Sequence, residues 1–146
     1  MDPVACYCTN LRRAALALTA VYDGALARHG IKVTQFSLLR AVRRRAPVNL
    51  TELADATGLD RSTLGRNLRR LERDGLVLLS PGDDQRDRVV TLTGRGRRLV
   101  EAASRTWERV QVQVEGALGA DAERLVAGAR RAARLAAGGI PAEVEP

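Results

Sequence analysis

The sequence predicts a mainly α protein carrying one small β-hairpin, and three observations carry that reading. Ala, Leu and Arg dominate while aromatics make up only 3%, which favours helix over a β-sandwich or an aromatic-lined nucleic-acid platform. Apolar residues recur at spacings of three and four through most of the chain, as helices burying one face require. Only one pair of strand-length runs, LVLLS and RVVTLT, flanks a polar turn, PGDDQRD. The 146 residues form one compact unit, 1–146, long enough to bury a core without disulfides or metal. No apolar run of about 18 residues exists, so no membrane span is expected. The opening MDPVACYCTN does not read as a signal peptide, and the expected location is the cytoplasm.

The elements follow in order. Residues 11–29 place Leu11, Ala15, Leu18, Val21 (or Tyr22), Ala25 and Leu26 on one face. They predict a long helix that starts close to Pro3 and ends at Gly30. Thr34 is read as the cap of a second helix with Phe36, Leu38, Leu39 and Val42 inward, stopped by Pro47. Asn49 and Glu52 have capping-box spacing and open a short helix that ends at Gly58. Asp60 caps the next helix, where Leu64, Leu68 and Leu71 form a narrow stripe before Gly75. The hairpin comes next. Thr93 to Gly96 open a helix over about 95–118, whose apolar set is Leu99, Val100, Ala103, Trp107, Val110, Val114 and Leu118. Its spacings of three and four resemble a coiled-coil seam. Asp121 starts a last helix that ends at Gly138-Gly139, and the tail from residue 140 reads as frayed.

Two short helices joined by Thr57-Gly58-Leu59 make a helix-turn-helix, and a hairpin directly after it makes a winged helix over 34–93. The helices at 5–30 and 95–138 carry more apolar surface than that core can cover. A helical dimerisation subdomain built from both chain ends would bury it against a second copy. The resulting homodimer would suit a two-fold DNA site.

Charge supports this. There are 24 Lys+Arg against 17 Asp+Glu, a net of +7, which fits a nucleic-acid partner. Opposite the leucine stripe of the 61–74 helix stand Arg61, Ser62, Thr63, Arg66, Arg69, Arg70 and Arg73. Short hydroxyls at a helix start suit phosphate or base-edge contact. Arg66, one turn on, is placed for a bidentate contact to guanine. Arg69 and Arg73 have a second reading, as partners of Glu72, Asp74 or water. On the hairpin, Arg86 and Arg88 suit a minor groove. The alternative there is a charged turn held by its own ion pairs, and Asp84 can serve either reading by bracing an arginine. No phosphate loop, zinc-ligand set or Ser/His/Asp order supports catalysis, so no enzyme, cofactor or metal is expected. A winged helix used only for protein contact would show an acidic or apolar outer face on the 61–74 helix, and this face is arginine.

The run LTELADATGLDRSTLGRNLRRLERDGLVLLSPGDDQRDRVVTLTGRG closely resembles the MarR (multiple antibiotic resistance) family of bacterial regulators. The matching features are E-L-A, G-L-D-R-S-T, the leucine register, L-E-R-D-G-L-V, the wing's D-x-R and the closing L-T-x-x-G. The resemblance implies a homodimer on a pseudopalindromic double-stranded operator, usually as a repressor. It puts Ser62, Thr63 and Arg66 at recognition positions, Asp84 at the wing brace and Arg86 at the wing tip. It also implies release by a phenolic or other small effector, or by cysteine oxidation. The rival is an effector-independent, nucleoid-type DNA-binding protein.

Cys6 and Cys8 stand near the start of the first helix. Three readings remain: thiols activated for redox sensing, a soft-metal site needing a second subunit, and small packing residues. His29, the only histidine, reads as a cation-capable group near its helix end, and Trp107 as core or dimer packing.

Overall fold

The computed structural model describes residues 6–84 and 87–138. Six helices and a three-stranded sheet follow the order α1 (Tyr7–Leu26), α2 (Val33–Arg45), β1 (Val48–Asn49), α3 (Leu50–Thr57), α4 (Arg61–Arg73), β2 (Val77–Pro81), β3 (Arg88–Leu92), α5 (Gly94–Leu118) and α6 (Asp121–Gly138). This is the winged helix-turn-helix with added helices at both ends. One core holds it together, built on Leu26, Phe36, Leu39, Leu53, Leu64 and Val100, all fully buried.

Local chemistry explains most boundaries. Asn49 Oδ1 accepts the Glu52 N–H at 2.8 Å and Glu52 Oε2 accepts the Asn49 N–H at 3.3 Å, closing the capping box of α3. Gly58 then turns left-handed at φ 68 and frees the chain to start α4. Leu64, Leu68 and Leu71 face the core, as their spacing predicts.

Several expectations need correction. The first helix ends at Leu26 and tightens into a 3-10 turn, Ala27–His29, before Gly30 takes a left-handed φ of 70. Its predicted start near Pro3 lies outside the described residues, as do Gly139 and the tail from 140; the described helix begins at Tyr7. Thr34 does not cap α2. Lys32 holds that position, with its N–H donated to Gln35 Oε1 at 3.0 Å, and Asp23 Oδ1 accepts the Val33 N–H at 2.7 Å. The acceptor comes from α1, ten residues away, so no local spacing marks it. The hairpin gains a third strand, with sheet order β1-β3-β2. Val48 pairs with Val90 and Asn49 with Val89, and two residues are too few to show an alternating period.

The α5 stripe is only partly covered within one chain. Val100, Ala103 and Val110 are buried as expected, but so is Thr106, while Leu99, Trp107, Val114 and Leu118 are only half-buried. Thr106 is tolerated inside because its Oγ1 lies 2.8 Å from His29 Nε2. Tyr22 OH donates to Gln111 Oε1 at 2.5 Å and ties α1 to α5.

Candidate nucleic-acid interface

The start of α4 is fixed by its own side chains. Asp60 Oδ1 accepts the Thr63 N–H at 2.8 Å, and Oδ2 accepts the Thr63 hydroxyl at 2.6 Å. The Thr63 hydroxyl, then its amide, hold the Asp60 carboxyl below its usual range. Thr63 Oγ1 in turn accepts from Arg66 Nη2 at 3.2 Å, and Ser62 Oγ from Arg66 Nη1 at 3.4 Å. Asp60, Thr63 and Arg66 thus form a chain that aims the guanidinium from the helix start. Arg61, Ser62 and Arg66 are exposed and Thr63 half-buried.

The arginines of α4 divide between two sides. Arg61 and Arg69 line a groove of about 380 Å³ with Gly65, Glu72, Leu79 and Arg88, so β3 contributes to the same surface. Glu72 Oε1 accepts the Leu79 N–H at 3.2 Å and holds the wing against α4. That role was not legible, because the bond joins two elements. Arg70 and Arg73 turn away, lining instead a cleft with Arg95 and Arg98 of α5. A Cβ at Gly65 would stand 3.7 Å from Arg69 Nη2, an ordinary contact. The fold itself therefore does not demand glycine there.

On the wing, the Gly82 N–H donates to Asp87 O at 2.7 Å and the Asp87 N–H to Asp84 O at 2.8 Å. Asp84 and Arg88 are exposed. Arg86 lies outside the described residues, so the tip position and its brace rest on the sequence.

Away from this surface, Cys6 is the N-cap of α1 and Cys8 lies in its first turn, both exposed. Packing among the described residues therefore does not account for them. The Thr9 amide, then its hydroxyl and the Cys8 amide, draw the Cys6 thiol pKa below its ordinary value. Burial, then Arg28, Arg105 and Arg109, lower the pKa of His29 and so disfavour its cationic form. Trp107 packs on Phe36 with ring centroids 6.3 Å apart, and the Arg40 guanidinium lies 4.0 Å from the Trp107 ring. Arg40 was missed by sequence reasoning; its only signal is its place one turn after Phe36. Among the described residues no cluster of three or more His, Cys, Asp or Glu could hold a metal ion, and no helix is long and apolar enough to cross a membrane.

The chain is similar to known proteins along this surface and beyond it. A model described as MarR family matches residues 29–87. The DNA complex of the Mycobacterium tuberculosis transcriptional regulator MosR superposes with a TM-score of 0.85 at 36% identity, covering 91% of this chain and 97% of that one. The chain belongs to the MarR family. Membership places it among transcription regulators, not enzymes. The homoprotocatechuate degradative operon repressor of Escherichia coli is 34% identical over 89 residues, which span 60% of each chain. This MarR-family chain is also 27% identical to Bordetella bronchiseptica BpsR, whose DNA binding is regulated by 6-hydroxynicotinic acid. That structure has a TM-score of 0.73 and the match covers 84% of this chain and 94% of BpsR.

Proposed function

We propose that the chain is a homodimeric repressor that binds a pseudopalindromic double-stranded DNA operator. One observation carries this: the exposed face of α4 presents Arg66 already aimed by Thr63 and Ser62. Arg61, Ser62 and Thr63 at the helix start meet phosphate and base edges in the major groove, and Arg66 reads a base. Arg69 and Arg88 hold the backbone, while Arg70, grouped with them on the sequence, lines the cleft beside α5 instead; Asp84 braces Arg86 at a neighbouring minor groove. Residues 34–93 form the DNA-binding part. The helices within 5–30 and 95–138 dimerise, which is supported by Leu16, Val21, Val112, Val126 and Leu135 standing exposed on α1, α5 and α6. A small effector or oxidation at Cys6 and Cys8 releases the DNA; the exposed, pKa-lowered Cys6 thiol supports the second route.

The test is fluorescence anisotropy on the DNA upstream of the protein's own gene, with reduced and then peroxide-treated protein at one salt concentration. Tight reduced binding is expected, together with release that vanishes when both cysteines are serine. Arg66→Ala should cost about 1–3 kcal/mol of discrimination against random DNA. Binding of equal strength to operator and random duplex would leave the nucleoid-type reading. Tight binding indifferent to peroxide would leave effector control alone.

A further inference from the structure

We infer that the cleft between the end of α4 and the start of α5 binds an organic molecule carrying two or more oxyanion groups, carboxylate or phosphate. The cleft is about 840 Å³, within the roughly 300–1,000 Å³ of small-molecule sites. Arg70 and Arg73 enter it from α4, and Arg95 and Arg98 from α5. Its floor includes buried Ile31 and Leu76, so it offers an apolar bed under a cationic rim.

The charge in it is uncompensated. Asp74 is the one carboxylate lining the cleft. Among the described residues the one side-chain ion pair within 4.0 Å is Arg124–Asp121, on α6, so none of the four guanidiniums is neutralised by contact. Four like charges converging on one hollow repel each other. A multiply charged anion relieves that, and guanidinium forks grip carboxylate or phosphate with two parallel bonds. The bland account is that cations favour the carboxyl end of α4. It covers Arg73, and Arg95, whose Nη1 overhangs Gly75 at 3.7 Å from an added Cβ. It does not cover Arg98, a further turn into another helix. The site is also remote from the proposed base-reading end: Arg73 lies ~15 Å along α4 from Thr63 at 1.5 Å per residue. The inference does not depend on DNA binding and is tested without it.

Isothermal titration calorimetry on the full reduced chain at low ionic strength would use two probes, benzene-1,3,5-tricarboxylate and phenyl phosphate. At least one should bind once per chain, and which one binds assigns the carboxylate or the phosphate source. The double variant R95A/R98A, both exposed positions, should weaken binding at least tenfold while R124A leaves it unchanged. R98E alone keeps the test decisive should the double variant fail to fold. No heat from either probe up to millimolar concentration overturns the inference. So does equal loss in R124A, or undiminished probe binding by the double variant.

Discussion

Gly96→Ala should destabilise the protein although it replaces a glycine inside a helix. Gly96 is buried in the first turn of α5, and an ideal Cβ there would lie 2.0 Å from Leu76 O and 3.0 Å from Leu76 C. Carbon and oxygen need more than 3 Å, so the helix start or residues 75–76 must move by about 1 Å; overpacking of this kind costs about 1–3 kcal/mol. The same movement strains two bonds, Thr93 N–H to Leu76 O at 3.1 Å and Thr93 Oγ1–H to Gly75 O at 2.7 Å. Losing one of them adds about 1 kcal/mol. Alanine's helix propensity returns at most about 1 kcal/mol. The net loss is about 1–3 kcal/mol, or roughly 3–10 °C in Tm for a chain of this size. Urea unfolding at fixed protein concentration measures it, since the stability of the proposed dimer would depend on concentration. Gly65→Ala is the internal control: its Cβ meets only Arg69 Nη2 at 3.7 Å, so it should stabilise by up to about 1 kcal/mol. Equal stability of Gly96→Ala and wild type, within about 0.5 kcal/mol, would refute the close-approach argument.

Thr63→Val removes the hydroxyl shared by Asp60 and Arg66 and should lower the operator-to-random affinity ratio about tenfold, with random-DNA affinity nearly unchanged; a uniform loss on both DNAs would point to phosphate contact instead. His29→Gln should flatten the acid limb of stability. Because the folded-state pKa of His29 lies below 6.5, its contribution is fully present above about pH 6.5 and is lost as pH falls through the folded value. Thermal melts between about pH 7.5 and about pH 5 should therefore drop further for wild type than for the variant, and parallel curves would contradict the assignment. Tyr22→Phe cuts the bond to Gln111 and should blunt the peroxide response in the anisotropy assay while leaving reduced-state affinity unchanged. A full response would exclude that bond from the route.

What was legible in the sequence was local. The capping pair Asn49 and Glu52, the Asp60 cap, the left-handed Gly58 and the Thr93 cap each act within three or four residues. Spacing along the chain shows them directly. What was missed joins distant segments. Asp23 satisfies Val33, Glu72 holds Leu79, β1 pairs with β3, and Arg40 lies over Trp107. The face of α4 was read correctly as polar, yet its division was invisible. A helical wheel puts Arg69 and Arg70 on one arginine face, whereas the neighbours of α4 assign Arg69 to the wing groove and Arg70 to the α5 cleft.

In the proposed repressor these tertiary bonds would carry a signal to α4. Leu76 N–H donates to Leu71 O at 2.9 Å, Thr93 N–H to Leu76 O, and Glu72 accepts from Leu79. The end of α4, the wing and the start of α5 are therefore one body, and α4 cannot turn alone without breaking several bonds. Cys6 is remote from that body, since Tyr22 lies ~24 Å along α1 from it. From Tyr22 the polar ties cross to Gln111 on α5, and from His29 to Thr106. On the proposed oxidation route, a change at Cys6 would arrive at α5 as a tilt of α1, and α5 would carry it to Gly96 and Leu76. Two packed helices transmit tilt because their interface resists continuous deformation. On that route oxidation would change the spacing of the two α4 helices across the proposed dimer and leave each helix's own contacts intact. Oxidised protein should then lose affinity for the full operator while a single half-site binds as before.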